Sequence, residues 1–211
     1  MSALPDLGFI HNYIPASNRT RPPLLLLHGT GGDESDLVPF GRRLAPGAAL
    51  LSPRGKVSER GAARFFRRLA EGVFDLEDLA ARTGELAEFI ERARKAYGLS
   101  KPIAFGFSNG ANIAASLLLT RPDVLAGAVL LRAVTPFEPK KLPDLTGIPV
   151  LMLSGAADPL VEPENREKLA EMLSVAGAEV THEIVPAGHN LSPRDIAAAE
   201  GWLAHHSALI A

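Results

Sequence analysis

The chain has no cysteine among its 211 residues. Disulfides, a thiolate nucleophile and cysteine-based zinc sites are therefore excluded, and with them a Cys-His-Asp hydrolase. Neither sign of charge dominates, since the net charge is -2, and nothing points to nucleic acid or an acidic membrane as partner. No stretch of about 18 uncharged apolar residues runs together, so no membrane span is expected. Met1 to Asn12 lacks a basic start followed by an apolar run, the mark of a secretory leader. A cytoplasmic protein is the expectation. Repeats, low-complexity tracts and linker-like stretches are missing too, which leaves residues 1–211 as one domain, long enough to bury a large core unaided.

What is present is an alternation of short apolar runs with longer amphipathic ones. The apolar runs are Leu24 to Leu27, Ala48 to Ser52, Ile103 to Phe107, Leu125 to Val134, Pro149 to Ser154 and Val180 to Val185. Runs this short and continuously apolar suit strands covered on both faces, as in a parallel sheet. Phe9 to Ile14 precedes them as a candidate antiparallel edge strand. Between the runs, Leu76 to Tyr97 repeats Leu76, Leu79, Leu86, Ile90 and Ala93 at helical spacings, with Asp75 as N-cap and Gly98 as C-cap. Asn109 to Thr120, Glu162 to Ala176 and Ser192 to His205 read as further helices. Strand–helix alternation with right-handed crossovers gives a three-layer α/β/α sandwich around a mostly parallel sheet. No insertion between strands is large enough for a cap domain, so an open site favouring small or accessible substrates is expected.

Gly106-Phe107-Ser108-Asn109-Gly110 matches G-x-S-x-G between a predicted strand and a predicted helix. A turn that sharp strains the serine backbone and tolerates only small neighbours, hence glycine at 106 and 110. It lifts the Ser108 hydroxyl clear of the sheet at a helix N-terminus, as a nucleophile requires. Such a hydroxyl needs a base within reach. Of the six histidines, His189 lies in a loop after a strand, at the C-terminal edge where ligands gather in open α/β sheets. Asp158 follows another strand by the Gly155 turn and lies at the same edge; it is the candidate orienter of the histidine. Asp123 and Asp144 fall at the opposite face, and Asp195 opens a helix, where a carboxylate is favoured in any case. The chain order Ser108, Asp158, His189 is the order of the α/β-hydrolase fold.

His28-Gly29-Thr30-Gly31-Gly32 follows the first parallel strand with little side-chain bulk. The N–H groups of Thr30 and Asn109 are the expected oxyanion-hole donors, and His28 is expected to hold the loop by hydrogen bonds. No phosphate-binding glycine pattern and no H-E-x-x-H cluster occurs, so neither cofactor nor metal is called for. From Arg54 to Gly72, Arg54, Lys56, Arg60, Arg64, Arg67 and Arg68 outnumber Glu59 and Glu71. One reading has Phe65 and Phe66 lining an acyl or aryl pocket while Arg54 or Arg67 meets an anionic substrate group. The other is a partly helical surface segment with its apolar side packed and its charges in water. Leu160, two residues past Asp158, is a further substrate-contact candidate.

His28-Gly29-Thr30-Gly31-Gly32, Gly106-Phe107-Ser108-Asn109-Gly110, Asp158-Pro159-Leu160-Val161 and Gly188-His189 together resemble the phospholipase/carboxylesterase family, from about Leu24 to Trp202. Arg54-Gly55 and Arg64-Phe65-Phe66-Arg67-Arg68 look like the branch of bacterial carboxylesterases linked to quinone and aromatic stress. The resemblance implies a lidless monomer or homodimer that needs no cofactor and cleaves short acyl esters, a carboxylesterase acting on a small-molecule ester. Acyl thioesterase or lysophospholipase activity would use the same residues. The thioesterases of the family usually carry Gln after the nucleophile, where this chain has Asn109. From another class, a catalytically inert α/β-hydrolase-fold binding protein would keep the fold with a broken triad.

Overall fold

The computed structural model describes residues 5–210, and side chains as far as residue 206. In chain order its elements begin with β1 (His11–Ile14), β2 (Leu24–Leu27), α1 (Val38–Leu44) and β3 (Leu50–Pro53). Two hairpins follow: β4 (Val57–Glu59) with β5 (Ala62–Arg64), and β6 (Arg68–Ala70) with β7 (Val73–Phe74). Then come α2 (Leu76–Tyr97), β8 (Ile103–Phe107), α3 (Asn109–Thr120), β9 (Gly127–Leu131) and β10 (Pro149–Gly155). The remainder is α4 (Pro163–Val175), β11 (Glu179–Val185) and α5 (Pro193–Ile210). Among the described residues no helix is long and apolar enough to cross a membrane.

Among the described residues seven strands make the central sheet, in the order β1-β3-β2-β8-β9-β10-β11. Only β1 is antiparallel, pairing His11 with Pro53 and Ile14 with Leu50. The remaining neighbours run parallel, with Leu24 opposite Ile103 and Ile103 opposite Gly127. Four leucines in a row suit β2 because both of its faces are covered. Leu25 and Leu27 enter the core that includes α2, α3 and α4, while Leu24 and Leu26 enter the one that includes α1 and α5. Each fully buried leucine contributes roughly 1.5–3 kcal/mol. This is the expected α/β/α sandwich around a mostly parallel sheet, and among the described residues no cap domain covers the sheet edge.

Local signals set the ends of α2. The Asp75 carboxylate accepts from the Asp78 N–H at 3.1 Å, and Gly98 closes the helix at φ 65°. Glu162 and Ala176 prove to be the caps of α4 rather than part of it, and α5 continues past His205.

The stretch from Arg54 to Gly72 is corrected: it forms β-hairpins, not a partly helical segment. The β4–β5 turn places Arg60 at φ 52° and Gly61 at φ 88°, and two central residues of positive φ match the twist of a tight hairpin. This hairpin is fastened to the glycine loop after β2. The Gly31 N–H donates to the Ala63 carbonyl at 2.9 Å, and the Gly55 N–H donates to His28 Nε2 at 3.0 Å.

Candidate active site

Ser108 stands between β8 and α3 at φ 51° and ψ -114°, a conformation that costs a non-glycine residue about 1–3 kcal/mol. The surroundings compel it. A Cβ at position 106 would lie 2.6 Å from the Gly110 carbonyl oxygen, and one at 110 would lie 2.0 Å from that of Leu27. The glycines therefore let strand and helix approach closely enough to expose the serine. Its own N–H is fixed to the Leu131 carbonyl at 2.8 Å.

Two loops at the same sheet edge bring the partners. His189 Nε2 is 3.0 Å from Ser108 Oγ, and His189 Nδ1 is 2.9 Å and 3.1 Å from the two Asp158 carboxylate oxygens. The Asp158 side chain is fully buried, and one oxygen also accepts from the Leu160 N–H at 2.9 Å. Gly155 allows these loops to touch, because a Cβ there would sit 2.4 Å from the Gly188 carbonyl oxygen. Asp158 thus faces Nδ1 and Ser108 Oγ faces Nε2, an arrangement in which Nε2 can accept a proton from the serine.

Thr30 and Asn109 border the same cleft, a cavity of about 390 Å³ that also exposes Phe107, Leu160 and Val161. The N–H groups of Thr30 and Asn109 donate to no backbone or side-chain acceptor among the described residues. Gly31 spends its N–H on Ala63. The Asn109 side chain is buried, with Oδ1 accepting from the Phe65 N–H at 2.7 Å and Nδ2 without a partner. His28 holds the loop: its Nε2 accepts from Gly55, and its Nδ1 lies 2.7 Å from the Gly29 carbonyl oxygen. Burial pushes the His28 pKa down, which keeps the ring neutral and Nε2 an acceptor. A more apolar hollow of about 520 Å³ adjoins the cleft across Phe74 and Gly72.

Four sequence-selected substrate contacts are not in this cleft. Phe65 and Phe66 are 2% and 0% exposed. Phe65 packs on the His28 ring at 4.7 Å between centroids, and Phe66 meets Phe74 edge-on at 5.0 Å. Their apolar area is worth more under the loop than at a wet cleft wall. Arg54 is paired with Glu34, donating from Nη2 at 2.8 Å, and Arg67 with Asp75 at 2.7 Å. Both are drawn to carboxylates outside the cleft. Of the five candidates, Leu160 alone borders it.

Arg132 does border the cleft, and sequence reasoning passed over it. At the end of β9, with φ 56°, it is wholly buried against Asp195, with two bonds of 2.8 Å. Burial alone would raise the Asp195 pKa, but Arg132 and Ser192 hold it below the ordinary carboxylate value. Arg132 also donates to the carbonyls of Gly188 at 2.8 Å, Leu153 at 3.1 Å and Asn190 at 3.1 Å. Every guanidinium N–H is thereby used, and the two residues flanking His189 are held by one rigid group. The available signal was a lone arginine closing an apolar strand at the edge where the other site loops gather.

Comparison with known proteins agrees with this architecture. Residues 73–207 match the phospholipase/carboxylesterase family. MhqD of Bacillus subtilis (strain 168), described as a hydrolase, is 46% identical over 181 residues, 85% of this chain and 90% of that protein. A Bacillus cereus carboxylesterase structure superposes with a TM-score of 0.93 at 42% identity, covering 95% of each chain. A carboxylesterase from Mesorhizobium loti gives 0.89 at 38% identity, covering 95% of this chain and 97% of its own. The chain belongs to the phospholipase/carboxylesterase family.

Proposed function

We propose that the protein is a serine carboxylesterase cleaving small acyl or aryl esters, with Ser108 as nucleophile, His189 as base and Asp158 as orienter. The observation that carries this is the continuous hydrogen-bonded line from Ser108 Oγ through His189 to Asp158, at 3.0 Å and 2.9 Å. In the reaction, Ser108 Oγ bonds to the ester carbonyl carbon while its proton passes to His189 Nε2. The carbonyl oxygen, now negative, sits between the N–H groups of Thr30 and Asn109. Donors so placed are typically worth about 2.7–4 kcal/mol each to the transition state. Collapse of the intermediate breaks the carbon–alkoxy bond, and the imidazolium returns its proton to the departing alcohol. Water then repeats the sequence on the acyl-enzyme and releases the acid.

The cleft of about 390 Å³ supports a short acyl group; a long chain would have to cross Phe74 into the adjoining hollow. The test uses p-nitrophenyl esters from acetate to decanoate with a fluorophosphonate probe. Wild type should turn over short esters and be labelled, and Ser108→Ala should do neither while remaining folded. Unlabelled, inactive wild type of native fold would overturn the reading. Parallel acyl thioesters would test the thioesterase alternative.

A further inference from the structure

Three guanidinium groups border the cleft: Arg64, Arg68 and Arg132. Arg132 has every N–H engaged. Arg68 is spent on carboxylates, with Nε at 3.1 Å from both oxygens of Glu59, Nη2 at 2.8 Å from one of them, and Nη1 on Glu71. Arg64 differs. It is 3% exposed, yet only two of its donors are hydrogen-bonded: Nε to the Phe66 carbonyl at 3.1 Å and Nη1 to Thr30 Oγ1 at 2.8 Å. Its nearest carboxylate among the described residues, Glu59 at 3.3 Å, is the group Arg68 already holds. Guanidinium carries five N–H groups, so several of Arg64's have no protein acceptor among the described residues. Burial first, and Arg68 second, depress its pKa, against the opposing pull of Glu59 and Glu71.

Beside it lies a second buried donor without a partner, Asn109 Nδ2. The two belong to one corner of the cleft, because Asn109 Oδ1 is held by the N–H of Phe65, the residue after Arg64. Arg64 in turn holds Thr30, so this corner touches both residues assigned to the oxyanion hole. The leaving alcohol must face His189 to receive its proton, and the His189 loop is held by Arg132, whereas the hydrogen bonds of Arg64 go to Phe66 and Thr30. The corner at Arg64 therefore adjoins the acyl half of the substrate.

Resting on the serine esterase reading, we propose that Arg64 is a carboxylate subsite, and that the preferred substrates are half-esters of short dicarboxylic acids. A planar carboxylate accepts two parallel bonds from a guanidinium, and the cleft of about 390 Å³ holds an acid of four or five carbons. Such a substrate supplies acceptor oxygens for the Arg64 N–H groups that no protein acceptor takes.

The experiment compares kcat/KM on mono-p-nitrophenyl glutarate with that on p-nitrophenyl butyrate. Wild type should favour the glutarate ester, and Arg64→Met should lower that ratio by about tenfold to a hundredfold, the scale of a charge-assisted hydrogen bond. Arg54→Ala and Arg67→Ala, outside the cleft, should leave the ratio unchanged. If Arg64→Met does not fold, wild type still decides: glutarate should compete with butyrate hydrolysis and slow fluorophosphonate labelling, and neutral glutaramide should do neither. An unchanged ratio, an equal loss on both esters, or inhibition by glutaramide as strong as by glutarate overturns the carboxylate subsite. In each of these results the enzyme still hydrolyses butyrate. Loss of labelling and of all ester turnover in wild type is a separate result: it removes the serine esterase reading, and the subsite with it.

Discussion

Replacing Arg132 with methionine separates what the arginine does for stability from what it does for the histidine loop. Methionine keeps a Cβ, so the cost of φ 56° is common to both chains and cancels. What changes is the buried pair: Asp195, 0% exposed, keeps Ser192 but loses both guanidinium bonds, while the Gly188 and Asn190 carbonyls lose their donor. Leaving a buried charge without its partner costs about 3–5 kcal/mol. At about 2–4 °C per kcal/mol for a chain of this size, Tm should fall by roughly 6–20 °C. Freed of its clamp, the His189 loop shifts, and a 1 Å misplacement of a reacting group is worth about a hundredfold in rate. kcat on a short ester should fall by about that factor with KM little changed. The decisive comparison is Arg132→Met combined with Asp195→Leu. An apolar pair of similar volume often matches or exceeds the stability of a buried ion pair, so the double variant should regain most of the lost Tm. It should not regain kcat, because Gly188 and Asn190 remain unheld. Thermal and denaturant melts, with steady-state kinetics on the same samples, read both quantities. Recovery of kcat together with Tm would refute the positioning role, and a single variant within about 1 kcal/mol of wild type would refute the cost assigned to the buried pair.

Two further outcomes follow from the packing. Gly110→Ala would drive a Cβ to 2.0 Å from the Leu27 carbonyl oxygen and should abolish soluble folded protein, whereas Gly84→Ala, in the middle of α2 with open space around it, should stabilise by about 0.5–1 kcal/mol in a urea melt. Burial lowers the pKa of His28, and burial followed by Arg166 lowers that of His182. The unfolded chain then takes up protons at higher pH than the folded one, so this stability is present above about pH 6.5 and is lost as pH falls through the lower folded values; Tm should drop between pH 7 and pH 5, and a flat profile would contradict it.

Much of this molecule was legible where a local rule coincides with a global one. Asp75 and Gly98 mark the ends of α2 through backbone chemistry that each residue carries with it. The strand runs announce the parallel sheet because covering both faces leaves no polar positions. Ser108, Asp158 and His189 could be selected because each follows a strand, and strands of a parallel sheet all end at one edge. Helix α1 stayed hidden behind Pro39 and Gly41, residues that read as breakers; Gly41 is needed because a Cβ there would meet a Leu26 methyl group at 2.9 Å. Burial was the harder question. Phe65 and Phe66 looked like pocket walls, but whether a hairpin turns its rings inward depends on His28 and Phe74, which reach it from other elements. Asp195 looked like an ordinary residue of a helix's first turn, since nothing near it in sequence reveals Arg132.

The same long reach has a bearing on when the protein becomes active. Ser108 and His189 meet across 81 positions of the chain, and Arg132 and Asp195 across 63. During refolding, β8 and α3 can present the serine as soon as β2 and β9 flank them. The imidazole arrives only when β11 has joined the sheet edge, and it is immobilised only when α5 docks behind it. On the serine esterase reading, a chain in which β11 has not docked exposes a hydroxyl with no base beside it. On that reading turnover needs all of these elements together, which makes it a reporter of the finished structure rather than of its parts.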